Sequence, residues 1–218
     1  MNAADAGAPA DADLQRLRAA LAGTAESPRP VADLRLPLTL GHLLSDKVVA
    51  GLRPAAVLVP LIMRDDGVHL LLTRRSELLR NHKGQISFPG GSRDSGDVSF
   101  AATALREAYE EVGLPPASVE IIGYLDDYPV LSGFRITPVV GIVGQVFAPA
   151  LATAEVAEMF DLPLARVLAA DAFEKKILDR DGITVPFFEL NYGSYRIWGA
   201  TAGILWELRT LLLQGDAA

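Results

Sequence analysis

The 218-residue chain has no cysteine, which excludes disulfides, cysteine-ligated zinc, iron–sulfur clusters and thiol catalysis together. It also lacks an excess of positive charge: 20 basic residues stand against 27 acidic ones, for a net charge of −7. That balance argues against a general nucleic-acid or anionic-membrane binder, so an anionic ligand must be met by a local basic patch or a metal. Residues 1–13 are mostly Ala, Asp, Gly and Pro, with no basic region and no apolar run, and do not read as a signal peptide. One uncharged stretch, 136–154, approaches membrane-spanning length, but Pro138, Gly141, Gly144, Gln145 and Pro149 interrupt it among β-branched residues. It reads as a buried strand followed by a loop. The C-terminal Gly-Asp-Ala-Ala is not a peroxisomal address, and the expected location is cytoplasmic.

What the chain does have is apolar material: half its residues are hydrophobic, enough to bury one substantial core. Residues 1–30 read as an N-terminal tail, partly helical or disordered, in which Leu14, Leu17 and Leu21 mark one face of a short helix over 14–21. Residues 31–218 read as one domain. An apolar run from Ala55 to Met63, the turn residues Asp66-Gly67 and a second run ending at Thr73 form a β-hairpin pattern. A basic connector over 74–87 leads into Phe88-Pro89-Gly90-Gly91, where the chain must turn sharply or bring its backbone close to a ligand. The helix over 99–112 has the clearest pattern, with Ala101, Leu105, Ala108 and Val112 on one side and Gly113 as its stop. Strands are expected over 119–125 and 136–143 with an acidic loop over 126–134 between them, then a helical piece over 155–160 and a turn or short helix over 164–169. A hairpin is expected around Arg180-Asp181-Gly182, and a closing helix over 201–213. Strands interleaved with helices imply an α/β (α+β) chain with a mixed β-sheet covered by helices on its faces.

The chemistry-bearing segment is Arg106-Glu107-Ala108-Tyr109-Glu110-Glu111. On a helix Glu107 and Glu111 are neighbours at i and i+4, with Glu110 beside them, and they lie toward the C-terminal end, where the macrodipole disfavours negative charge. A solvated helix face tolerates such a stripe. Clustered oxygen ligands of this kind also suit Mg²⁺ or Mn²⁺, with the Gly90-Gly91 turn able to bring a carbonyl to the same ion. Arg74, Arg75, Arg80, His82, Lys83 and Arg93 bracket the glycine turn, a local basic cluster of the kind a polyphosphate needs. His42 and His69 read as ordinary surface or core histidines, Trp198 and Trp206 as core packing, and Tyr109 as half-buried.

The stretch Gly90 to Leu114, ending Arg106-Glu107-(two residues)-Glu110-Glu111-Val112-Gly113-Leu114, resembles the Nudix box of hydrolases that cleave nucleoside diphosphates linked to another moiety. Counted back from Gly113, the box's first glutamate position holds Val98 and its first glycine position Ser92; counted forward from Gly91, Asp97 falls at the glutamate position. That offset, with Leu71-Leu72-Thr73-Arg74-Arg75-Ser76, Arg80, Gly84 and Phe88-Pro89-Gly90-Gly91 upstream, is similar to the coenzyme A pyrophosphatase branch of the family. The resemblance implies a Nudix-type α/β/α sandwich and Mg²⁺- or Mn²⁺-dependent hydrolysis of coenzyme A or its derivatives to 3′,5′-ADP and 4′-phosphopantetheine. It implies Glu107, Glu110, Glu111 and the Gly91 carbonyl as metal ligands, with Arg106 orienting a neighbouring glutamate. Arg74, Arg75, Arg80, Lys83 and Arg93 become the substrate-binding residues. The general base falls to Glu107 or to a carboxylate from Asp126, Asp127 or Glu155, with Glu107 and Glu155 equally placed. The partner is a small CoA-type nucleotide, not a nucleic acid or a membrane, and the protein is expected to be a monomer or homodimer. ADP-ribose, a dinucleotide or another nucleoside diphosphate derivative is the alternative substrate, and a non-catalytic nucleotide sensor the alternative of another class.

Overall fold

The computed structural model describes residues 7–26, 46–130, 132–144, 147–180 and 183–215. His42, the turn residues Asp181 and Gly182, and the expected boundary between residues 30 and 31 lie outside them. The hairpin forms as expected, β1 (Arg53–Arg64) turning into β2 (Gly67–Arg75) with Arg64 opposite Gly67. β1 also runs parallel to β7 (Phe134–Val143) from Arg53↔Phe134 to Ile62↔Val143, and β5 (Val119–Tyr124) closes that side antiparallel to β7. Together with β3 (Ile86–Ser87), β4 (Gly90–Ser92), β6 (Tyr128–Val130) and β8 (Val156–Pro163), these make an eight-stranded mixed sheet among the described residues. A separate antiparallel sheet is built from β9 (Glu174–Arg180), β10 (Ile183–Tyr192) and β11 (Tyr195–Trp198).

The main sheet is covered on both faces, which is why β1 reads as a nearly continuous apolar run rather than an alternating one. Ala56, Leu58 and Ile62 pack with Val139 and Val143 against Phe100, Ala104, Ala108 and Val112 of α3 (Phe100–Val112). Val59, Leu61, Leu70 and Leu72 point the other way. There they meet Leu17 and Leu21 of α1 (Gly7–Leu21), Leu164 and Val167 of α4 (Leu164–Leu168), and Ile204, Leu205 and Leu208 of α5 (Gly199–Gly215). A short α2 (Asp46–Ala50) precedes β1. The result is the expected helix–sheet–helix sandwich.

Three expectations need correction. Residues 155–160 do not form a helix: Glu155 ends a turn and β8 pairs antiparallel with β2 from Pro163↔His69 onward. Glu, Ala and Met favour a helix locally, but the open edge of β2 supplies a full ladder of backbone partners, and tertiary pairing overrides propensity. The loop over 126–134 contains β6, which pairs with β7. Tyr109 is 57% exposed on the outer face of α3 rather than half-buried.

Sheet topology also makes the site. β2 pairs with β1 only through residues 67–70, then switches to β3 at Thr73 and Arg74, while β1 takes β4 at Ala55, Ala56 and Val57. The two strands diverge like a fork, and the chain around Phe88–Gly91 fills the opening beneath α3.

Candidate active site

Helix α3 is set by its ends. Ser99 caps the start, its Oγ accepting the Ala102 amide at 3.0 Å, and Gly113 ends it in the left-handed region at φ 74°, donating its N–H to the Tyr109 carbonyl. Between the caps, Arg106 reaches back over the loop that precedes the helix. Its Nε and Nη2 donate to the two carboxylate oxygens of Asp97 at 3.1 and 3.0 Å, its Nη1 to Glu107 at 2.8 Å and Glu110 at 3.2 Å, and its Nη2 also to the Ser92 carbonyl. Asp97 accepts further bonds from the Thr103 hydroxyl and the Asp94 amide. Chiefly because of the Arg106 guanidinium, its carboxyl is held well below the usual carboxylate range. Asp97 therefore fastens the loop to the helix from the sequence position next to the exposed Val98.

One turn further along α3 the environment inverts. Glu111 is 4% exposed and, among the described residues, receives only the Gly90 amide at 3.3 Å and the Arg75 guanidinium at 4.0 Å. Burial, with Glu107 and Glu155 adding repulsion, pushes its carboxyl up to about 7. Burial raises Glu107 as well, against the pull of Arg106. A Cβ on Gly91 would stand 2.6 Å from the Glu107 carboxyl carbon, so only glycine lets the backbone approach this carboxylate. At Gly90 a Cβ would fall 2.6 Å from Val57 Cα, so this turn packs backbone against β1.

These groups face one cleft of about 630 Å³. Gly90, Gly91, Glu107, Glu111, Glu155 and Arg75 form its polar end. The backbone places Glu155 there, because the Ser76 amide donates to the Glu155 carbonyl at 2.8 Å and ties that turn to the end of β2. Arg75 is aimed by an irregularity in the β2–β8 register between Arg74 and Arg75. Its Nε has no hydrogen-bond partner among the described residues. Aromatic side chains line the cleft too, Phe134, Phe187 and Trp198 among them, and Phe187 and Trp198 meet edge to face at 5.8 Å.

The other residues singled out from the sequence lie elsewhere. Glu110 is exposed, facing Arg106 rather than the cleft. Arg74 pairs with Glu158 across the β2–β8 ladder at 2.8 Å, and Arg93 stacks over the Phe100 ring at 4.6 Å while donating to the Asp97 carbonyl. Arg80 and Lys83 are exposed and off the cleft wall, whereas His82 lines it, in the left-handed region at φ 58° and bonded to Gln85. Asp126 and Asp127 are buried away from the cleft, Asp127 accepting from the Thr137 hydroxyl at 2.6 Å. Trp206 stacks on Phe188 in the core, but Trp198 belongs to the cleft, along with Phe134 and Phe187, which the sequence did not single out. Strand propensity hides such residues: an aromatic in a strand reads as core until the neighbouring sheet is known to leave that face open.

Among the described residues no three carboxylate or imidazole groups stand as a ready cation cage, because Glu107 and Glu110 are turned to Arg106. The donor set still suits a hard divalent ion: it is carboxylate oxygen throughout, and burial raises both Glu107 and Glu111, which a cation would relieve. No helix of the described residues is long and apolar enough to cross a membrane.

A family model described as the NUDIX domain matches residues 52–178, which include the whole acidic helix and the glycine turn. A protein of Enterobacter sp. (strain 638) named an uncharacterized Nudix hydrolase NudL is 44% identical over 156 residues, covering 72% of this chain and 81% of that protein. The protein of the same name from Cronobacter sakazakii is 41% identical over 181 residues, covering 79% and 94%. Among solved structures, the MutT protein of Methanosarcina mazei Go1 aligns at a TM-score of 0.46 with 20% identity over 76% of this chain and 93% of that one. With the main sheet, the glycine turn against Glu107 and the Arg106-held acidic helix all inside the matched region, the chain belongs to the Nudix hydrolase family.

Proposed function

We propose that this Nudix hydrolase splits the pyrophosphate of coenzyme A or its derivatives into 3′,5′-ADP and (acyl-)4′-phosphopantetheine. One observation carries the reading. The cleft brings Arg75 and the Phe88–Gly91 turn, both from the upstream motif similar to the coenzyme A branch, opposite Glu107 and Glu111 of the acidic helix. The cleft also carries both kinds of lining, the carboxylates and Arg75 together with Phe134, Phe187 and Trp198, which suits a substrate with a charged middle and less polar ends.

In this reading Arg75 meets the pyrophosphate. Its guanidinium is partly desolvated, lines the cleft and stands 4.0 Å from Glu111, so a phosphate oxygen there would take a charge-assisted bond from it. In this reading either Glu107 or Glu155, both lining the cleft, takes the proton from the attacking water. Arg106 holds Glu107 from behind and does not enter the cleft. Nudix hydrolases generally act with Mg²⁺ or Mn²⁺; held by Glu107, Glu111 and the Gly91 carbonyl, with Glu110 joining only by leaving Arg106, the ion would neutralise phosphate charge and acidify a bound water. The fixed dipoles and charges around it carry most of the acceleration in such a reaction.

The test is product analysis of coenzyme A, ADP-ribose and NADH incubated separately with the protein and Mg²⁺ or Mn²⁺, beside a Glu111→Gln control. Release of 3′,5′-ADP and phosphopantetheine by the wild type alone supports the reading. Cleavage of another substrate only would keep the family chemistry and reject coenzyme A.

A further inference from the structure

Helix α3 begins where its first three amides need acceptors, since no preceding helical turn supplies them. Ser99 Oγ takes the third, that of Ala102. The first two go to a single distant carboxylate: Phe100 N–H donates to Glu26 Oε2 at 2.8 Å, and Ala101 N–H to the same oxygen at 3.4 Å. Glu26 follows α1, 74 residues upstream of Phe100 and before residue 52, where the family match starts. Two further contacts fix the segment that carries it. Thr24 Oγ1 donates to the Leu21 carbonyl at 2.7 Å and accepts the Tyr124 amide at 2.9 Å, and Arg18 forms a two-pronged bond to Glu120 at 2.6 and 2.7 Å. Gly123 leaves the room for this crossing, since a Cβ there would stand 2.6 Å from Thr24 Oγ1. The segment after α1 is thus clamped to β5 and places a carboxylate at the positive end of the helix dipole.

We propose that Glu26 is a positioning residue for the active site: it fixes the entry angle of α3 and, through the helix, the placement of Glu107 and Glu111. This rests on reading α3 as the catalytic helix. Glu107 lies about 10 Å along the axis from Phe100 at 1.5 Å per residue, so a small tilt at the capped end shifts its carboxylate relative to the Gly91 backbone, which it approaches so closely that a Cβ there would stand 2.6 Å from its carboxyl carbon. Gly90 N–H, which donates to Glu111, reports the same displacement.

The experiment compares the full chain with Glu26→Ala and Glu26→Gln, the latter keeping an oxygen acceptor for Phe100 N–H. Three readouts are taken: amide hydrogen exchange at Gly90, Mn²⁺ titration followed by electron paramagnetic resonance, and kcat and KM for coenzyme A. For Glu26→Ala we expect exchange at Gly90 faster by about tenfold, Mn²⁺ binding weaker by about fivefold and kcat lower by about fivefold with KM unchanged, at the scale of losing a cap and a supporting contact. Glu26→Gln should return each readout most of the way. The inference is overturned if exchange quickens only at residues 100–102 while Gly90, the Mn²⁺ titration and kcat stay as in the wild type. If the wild type cleaves no coenzyme A, the substrate assignment fails by itself, and Gly90 exchange with the Mn²⁺ titration still decides the role of Glu26.

Discussion

Asp97 and Glu111 are withdrawn from water to nearly the same degree, with side chains 9% and 5% exposed, and both lean on the same helix. Their protons are nevertheless held in opposite directions, Asp97 well below the usual range and Glu111 up at about 7. Burial pushes both carboxyls up: at Glu111 it is the largest cause and goes nearly unopposed, whereas at Asp97 the Arg106 guanidinium overrides it. Asp97 receives four hydrogen-bond donors, two of them from one guanidinium, whereas Glu111 has one long amide contact, Arg75 at 4.0 Å and two like charges nearby. Asp97 is a finished structural joint, while Glu111 is a buried carboxylate with little to offset its charge, which makes it the candidate functional group of the two.

The sharpest way to break the comparison is to neutralise each carboxylate in turn. Glu111→Gln should lower turnover on the order of 10³-fold by removing a group that interacts with charge at the reacting phosphate. In chelator at pH 8 the same change should leave the melting temperature equal or higher, because it deletes a buried charge with little compensation. A melting temperature that fell with activity intact would reverse the roles assigned to the two residues.

Next in size is the pH dependence of the metal-free protein. The Glu111 carboxyl titrates near 4.5 unfolded and about 7 folded, so between those values the folded chain keeps a proton that the unfolded chain has released. Stability must then fall as pH rises through that window, by on the order of 3 kcal/mol above pH 7. Urea titrations at pH 5 and pH 8 in chelator measure it. Glu111→Gln should flatten this slope, and added Mg²⁺ should offset it.

Asp97 should show the reverse sign at smaller size. Its folded pKa is depressed, so its contribution is present above the unfolded value of about 3.9 and lost as pH falls below it toward the folded value. Asp97→Asn should cost about 2 kcal/mol at pH 7, less than a fully buried pair because Arg106 is 27% exposed. The gap between wild type and variant should close as pH drops below 4. The variant should still turn over substrate, reduced by about tenfold as supporting contacts around a metal site are lost.

How much of this was legible before the coordinates depended on how local the cause was. Ala101, Leu105, Ala108 and Val112 at helical spacing, with Gly113 as the stop, define α3 within one segment, so the helix and its acidic stripe could be read from spacing alone, although Ala104 is buried more fully than Ala101 or Leu105. β8 could not, because its strand state is decided by the open edge of β2, more than eighty residues away in sequence. The basic connector shows the same limit: its cations are adjacent in sequence, yet one register irregularity sends Arg75 to the cleft and Arg74 to Glu158. Trp198 was mistaken for core because nothing near it in sequence reveals that its face of the second sheet borders the cleft.

The finest test separates activity from stability at one atom. In Gly91→Ala the added Cβ would sit 2.6 Å from the carboxyl carbon and from Oε1 of Glu107, and 2.7 Å from Oε2. Those atoms are the far end of a flexible side chain, so the fold can yield by turning Glu107 aside, and the expected loss of stability is below about 1 kcal/mol. The displaced carboxylate, however, is the one Arg106 holds against the turn, and a misplacement of this size should lower kcat by at least about tenfold with thermal unfolding nearly unchanged. A Gly91→Ala protein that melts early but turns over normally would mean that the close approach serves packing alone. Glu107 would then lose its place beside Glu111, and the functional half of the comparison would rest on Glu111 and Glu155.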